Sequence, residues 1–166
     1  MKDITEFFEA TTHQHFKDIA NLANIIWHEH YVPIIGVEQV EYMVKNFQSA
    51  EAMYQQYQEG YEYFMVKHNN FFVGYVAIKK QEDLLFLSKI YVSKDFRGKK
   101  IGKSAMEFVQ SKAVELKCKS MTLGVNKFNT NAIKAYEAMG FIIVEAMKTD
   151  IGNGFFMDDF KMEKPL

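Results

Sequence analysis

Apolar positions recur at steps of three and four through residues 13–30, where Phe16, Ile19, Ala20, Ala23, Ile26, Trp27 and His30 share one side of a 3.6-residue repeat. The spacing predicts an amphipathic helix. Pro33 is expected to end it, because proline has no N–H to donate and its ring crowds the preceding turn. A second helical patch runs from Val37 to Phe47, with Val40, Met43, Val44 and Phe47 on its apolar side. A third, more polar one covers 49–58, and Gly60 stops it. Ahead of these helices, DITEFFEAT at 3–11 reads as a first strand.

The period then changes. YEYFMVKH and FFVGYVAIKK flank Asn69-Asn70, a hairpin with a turn that tolerates left-handed backbone. QED separates the hairpin from a fourth strand, LLFLSKIYV. A helix over 102–117 keeps Ala105, Phe108, Val109 and Leu116 on one face, continuing from Ile101. SMTLGVN is a short strand, 129–138 a helix ending at Gly140, and FIIVEAMKT and FFMDDFKMEK are two closing strands. Strand, helices, three strands, helix, strand, helix and two strands make a mixed α/β fold with about seven strands. No linker, repeat or low-complexity tract breaks it, so 1–166 is expected to be a single domain.

Composition changes this picture little. Phe (15) and Tyr (9) are abundant, so the core should be rich in rings. No run approaches the roughly 18 apolar residues of a membrane span. MKDITEFFEATTHQ carries acids where a signal peptide needs basic and then apolar residues. The one cysteine, Cys118, has no partner for an internal disulfide. These features set the expectation of a cytoplasmic protein that does not engage membranes.

Charge distribution changes it more. Residues 1–60 hold nine acidic and three basic side chains, a net of −6. Residues 89–119 hold nine basic and three acidic ones, a net of +6. The basic excess centres on VSKDFRGKKIGKSA, between a strand and a helix, where free N–H groups and the helix dipole favour an anion. Two nucleotide motifs fail here. Only three residues separate Gly98 from Gly102, one short of a P-loop, and two glycines do not make the dinucleotide fingerprint. A pI of about 6.5 and the lack of a reader motif argue against nucleic acid as partner.

Arg97-Gly98-Lys99-Lys100-Ile101-Gly102 resembles the pyrophosphate-binding motif of the GNAT N-acetyltransferases, [RQ]-x-x-G-x-[GA]. Lys100 stands where that family usually has glycine, and serves there if its dihedrals remain compatible with the helix. A second stretch, NTNAIKAYEAMGF, is similar to the family's N-x-x-A-x-x-x-Y-x-x-x-G-F through Asn129, Ala132, Tyr136, Gly140 and Phe141. The two occur in order, separated by one strand. The likeness covers residues 60–166 well and the first 60 in layout alone.

The resemblance implies a mostly antiparallel sheet splayed at strands four and five, and acetyl transfer from acetyl-CoA to an amine. It implies that backbone N–H groups from Gly98 through Lys99, Lys100, Ile101 and Gly102 to Lys103, led by Arg97, hold the pyrophosphate. Backbone at Ile90, Tyr91 and Val92 would pair with the pantetheine arm, and Asn129 would contact it. Tyr136 would supply a proton to the departing thiolate. The acceptor site would lie among the first helices, with Trp27, Glu29 and Tyr31 as substrate-binding candidates. The acidic first 60 residues favour a small cationic amine such as a polyamine. A protein N-terminus or lysine is the alternative acceptor, and an idle acyl-CoA-binding module the alternative function. Candidates for the proton acceptor are His28, Glu29, His30, Glu82, Asp83, Asp158 and Asp159, and none is singled out. His-Glu-His is too short for the zinc motif H-E-x-x-H, so no metal is expected. The reading leaves room for a homodimer.

Overall fold

The computed structural model describes residues 3–166. Seven strands are hydrogen-bonded in the order β1-β2-β3-β4-β5-β7-β6, and the chain divides into two compact units.

The first unit takes residues up to Lys79 together with Lys89–Val109. It opens with β1 (Thr5–Ala10) and α1 (His13–Ile35). Thr12 caps α1 by accepting from the His15 N–H at 3.2 Å, and the His15 ring returns toward the Thr12 N–H. Pro33 does not end this helix. It lies in the last turn at the loss of one hydrogen bond, and the end comes at Gly36 (φ +86°). Next come α2 (Val37–Phe47), α3 (Ala50–Gln58, capped by Ser49), β2 (Glu62–His68) and β3 (Phe71–Gln81). Asn69 and Asn70 both have positive φ, the conformation a two-residue hairpin with right-handed strand twist requires.

Strand alternation sorts this unit's aromatic residues. Phe7 stacks on Phe108 at 4.3 Å, and Phe64 meets the same ring edge-on at 4.9 Å. Tyr63 points the opposite way, edge-on to Phe16 of α1 at 5.3 Å. Tyr63, Tyr75, Phe16 and Ile19 are fully enclosed.

The second unit is Lys80–Ser88 with Gln110–Leu166. Here the start of β4 (Leu84–Val92) pairs in parallel with β5 (Ser120–Asn126), from Leu84↔Ser120 to Leu87↔Leu123. Pairing stops there while both strands run on, the parting that the family resemblance implies. After β5 the chain forms α5 (Thr130–Ala138), runs out along β6 (Ile142–Gly152) and returns as β7 (Phe155–Pro165) between β5 and β6. β5–β7 and β6–β7 are antiparallel, and Met162 of β7 is buried. No helix among the described residues is long and apolar enough to cross a membrane.

Candidate active site

In the first unit β4 ends at Val92, and its last residues Ile90, Tyr91 and Val92 are half-buried. A short 3-10 turn, Lys94–Phe96, turns the chain toward α4 (Ile101–Glu115). Arg97 bends back, its Nε donating to the Val92 carbonyl at 3.2 Å. Gly98 (φ +79°) takes left-handed backbone. Lys100 does too, at φ +63°, a left-handed dihedral and not one continuous with the right-handed helix. That costs a non-glycine residue roughly 1–2 kcal/mol. Ser104 N–H bonds the Lys100 carbonyl at 3.0 Å, so Ile101, Gly102 and Lys103 precede the first bond of α4 and present the N–H groups of a helix start. A Cβ added at Gly98 or Gly102 would meet nothing within 4 Å. Lys99, Lys100 and Lys103 are exposed around this opening. Open backbone, unpaired donors and a ring of lysines fit a pyrophosphate.

Beside the end of β4 the unit gathers rings. Trp27 lies 4.4 Å from Tyr31 and 5.6 Å from Tyr91, and Tyr91 is 5.3 Å from Tyr75. Trp27 is only 4% exposed, and its indole N–H donates to the Tyr75 hydroxyl at 3.3 Å, which donates in turn to Gln48 Oε1 at 3.0 Å. Burial holds the Tyr75 phenol well above its ordinary pKa. Of the three acceptor candidates, Trp27 forms the floor, Tyr31 is half-buried above it, and Glu29 is exposed on α1. His30 packs edge-on to Tyr31 at 4.6 Å, and burial, then the Arg97 charge, lowers its pKa. Gly74 matters here as well. A Cβ there would run into the Tyr91 carbonyl, so glycine is what lets β3 pass beneath the end of β4.

The sequence motifs do not single out a second polar group on this face. Lys89, the β4 residue two before Tyr91, is buried, and among the described residues no carboxylate pairs with it. Its Nζ donates to Gln56 Oε1 (2.6 Å) and Tyr63 Oη (2.7 Å), while Tyr63 itself donates to Gln56 at 2.5 Å. Burial pushes the Lys89 amine down to about 7. The alternation of β4, which places 85, 87 and 89 on one face, was the available signal.

In the second unit Asn129 occupies the N-cap of α5 but its side chain makes no capping bond. The turn is held instead by Phe128 N–H to Asn126 Oδ1 (2.9 Å) and Asn129 N–H to the Asn126 carbonyl (3.0 Å). Asn129 is buried, whereas Tyr136 is half-buried, its ring edge-on to Phe141 at 5.9 Å. Ile133, not Tyr136, is the buried residue of α5.

The proton-acceptor candidates separate by partner. His28 Nδ1 donates to the Asn24 carbonyl at 2.7 Å. Asp83 faces Lys119 at 3.5 Å across an exposed pair, and Glu82 forms a left-handed turn. Asp158 is tied to Lys127 at 2.9 Å. Asp159 is half-buried, and burial followed by repulsion from Asp158 raises its pKa, with Lys127 pulling the other way. Among the described residues no group of three or more His, Cys, Asp or Glu side chains is gathered to hold a metal ion.

The sequence profile of the Acetyltransferase (GNAT) family matches residues 19–141. N-alpha-acetyltransferase 30 of Dictyostelium discoideum is 31% identical over 88 residues, 51% of this chain and 48% of that protein, so the match spans about half the length of the relative. The fold matches the PaiA N-acetyltransferase of Thermoplasma acidophilum, solved in complex with coenzyme A, with a TM-score of 0.80 and 18% identity over 100% of both chains. It also matches an alanine N-acetyltransferase of a ribosomal protein from Escherichia coli, with a TM-score of 0.70 and 18% identity over 98% of this chain and 94% of that one.

Proposed function

Since the chain belongs to the GNAT acetyltransferase family, we propose that it transfers an acetyl group from acetyl-CoA to a primary amine by direct attack in a ternary complex, and that the acceptor is a small cationic amine such as a polyamine. Acetyl-CoA, when bound, supplies the acetyl group as a thioester. The N–H groups at Ile101, Gly102 and Lys103, with Lys99, Lys100 and Lys103 around them, would hold its pyrophosphate. Backbone at Ile90, Tyr91 and Val92 would pair with the pantetheine amides, and Asn129 would contact the same arm. The Tyr136 hydroxyl would give its proton to the sulfur as it departs.

One observation carries the acceptor class. Tyr31 and Tyr91 stand half-buried over the enclosed Trp27, and aromatic faces of this kind attract ammonium groups by cation–π interaction. The −6 charge of the first 60 residues supports the same class by steering cations. The partial match to N-alpha-acetyltransferase 30 favours the second reading, a protein α-amine. The test is thiol release from acetyl-CoA with spermidine, spermine, a peptide bearing a free α-amine and one bearing only a lysine amine. Turnover with the polyamines exceeding both peptides in kcat/KM is the expected result. Peptide preference would replace the polyamine reading with the protein-directed one.

A further inference from the structure

Three rings of the first unit meet closely enough to hold one cation between them. The centroids of Trp27 and Tyr31 lie 4.4 Å apart, those of Trp27 and Tyr91 5.6 Å, and those of Tyr31 and Tyr91 6.3 Å. The planes of Tyr31 and Tyr91 stand at 84°, as two walls of a corner. A single charge placed there comes within the roughly 6 Å over which cation–π attraction acts for all three rings. Tyr31 and Tyr91 are half-buried and Trp27 is enclosed, so the walls meet solvent and the floor does not.

The polar end of the floor is already used. The Trp27 indole N–H donates to the Tyr75 hydroxyl at 3.3 Å, and that hydroxyl donates to Gln48 Oε1 at 3.0 Å, with all three residues buried. Trp27 has no second N–H, so what it offers a ligand is its ring. Tyr75 belongs to β3 and Gln48 follows α2, so the floor is fixed from two elements besides α1. Two further rings back the walls, Tyr75 at 5.3 Å from Tyr91 and His30 at 4.6 Å from Tyr31. Burial, then the Arg97 charge, holds the His30 imidazole toward its neutral form, so at neutral pH it adds a ring and not a positive charge.

Such a corner suits an ammonium that stays charged, and it is the wrong place for the nitrogen that attacks. The attacking amine needs its lone pair free, whereas a setting that stabilises the ammonium form keeps the proton on. The group on the rings and the group that reacts are therefore different nitrogens of one acceptor. We infer that the corner of Trp27, Tyr31 and Tyr91 is a specificity subsite for a second, non-reacting ammonium, and that a fully alkylated ammonium serves there as well as a primary one. The inference rests on the acetyl-transfer reading above and refines its acceptor: the preferred substrate carries a distant positive charge besides the amine that is acetylated. A carboxylate-lined subsite would behave otherwise, because it bonds the N–H groups of a primary ammonium and loses those bonds on methylation. Rings lose nothing by it, since their attraction acts on the charge and not on N–H groups.

The experiment uses primary amines whose chain of three to five methylenes ends in trimethylammonium, in its uncharged isostere tert-butyl, or in a second primary amine. The first two tails share size and shape and differ in one charge. Steady-state thiol release from acetyl-CoA gives kcat/KM per free amine for each, in wild type, Tyr31→Leu and Tyr31→Phe. The quantity read is the ratio of the trimethylammonium to the tert-butyl amine, in which any loss of folded protein cancels. Wild type should favour the charged tail by roughly tenfold. Tyr31→Leu should cut that ratio by roughly threefold or more, and Tyr31→Phe should keep it because the ring face remains. The diamine should match the trimethylammonium amine within about threefold, since the rings ask for charge alone. Equal kcat/KM for the two isosteric tails in wild type would overturn the subsite while acetyl transfer stands. So would a ratio unchanged in Tyr31→Leu, or one lost equally in Tyr31→Phe, which would assign the effect to the hydroxyl. A diamine favoured over the trimethylammonium amine by roughly tenfold or more would mark recognition through N–H groups and overturn it as well. No thiol release with any of these amines, while the peptides of the panel above are turned over, would overturn the small-amine reading and this inference with it.

Discussion

Replacing Lys89 with methionine should stabilise the protein near neutral pH, and the gain should disappear in mild alkali. The wild-type amine is buried, and its folded-state pKa of about 7 lies well below the ordinary value of 10.5. The unfolded chain therefore holds more protons than the folded one between those two values, and stability rises with pH across that window. At about 1.4 kcal/mol per unit, the charge costs the folded state about 4 kcal/mol at pH 7 and about 2 kcal/mol at pH 9. Methionine removes that cost and fills much of the same space. It also removes two donated hydrogen bonds, to Gln56 and Tyr63, worth about 1 kcal/mol each. Gln56 and Tyr63 keep the bond between them, so neither is left without a partner. The net gain is about 2 kcal/mol at pH 7 and near zero at pH 9. Urea unfolding of both proteins at the two pH values reads the difference directly, and subtraction cancels every other titrating group. Parallel curves at both pH values would refute the reasoning, because they would mean Lys89 is not desolvated in the folded state.

Tyr136→Phe should lower kcat by roughly 10²-fold with acetyl-CoA binding and melting temperature nearly unchanged, since the ring contact to Phe141 survives; paired thiol-release and calorimetric measurements check it. Gly74→Ala should destabilise by roughly 1–3 kcal/mol and weaken acetyl-CoA binding, because the new methyl displaces the Tyr91 carbonyl; thermal unfolding and titration calorimetry read the two effects. His30 should titrate below 6.5 by NMR, and its pKa should rise in Arg97→Gln without reaching the ordinary value, because burial, the larger cause, remains.

The order of elements was legible because each carries its own local signal. Asn69-Asn70 announces the hairpin, and the steps of three and four through Phe16, Ile19, Ala23 and Ile26 announce α1. Pro33 misled because a proline costs the turn before it one hydrogen bond without forbidding a helix, and α1 runs through it to Ile35. The insertion of β7 between β5 and β6 was not legible, since both strands alternate weakly and nothing local distinguishes inner from outer. Around the candidate site, the turn from Arg97 to Gly102 ahead of α4 and the helix α5 that follows Asn129 are elements that could be read from the chain. Lys89 and Gly74 could not. Their meaning comes from partners 26 or 33 residues away for Lys89 and from the close approach of Tyr91 to Gly74.

Titration calorimetry of acetyl-CoA into the protein at low and high salt tests the central claim most directly. Phosphates meeting Lys99, Lys100, Lys103 and the start of α4 should give one-to-one binding at low salt that weakens as ionic strength rises, and Gly102→Val should abolish it without unfolding the chain. No heat of binding at low salt, or full binding by the valine variant, would contradict the account.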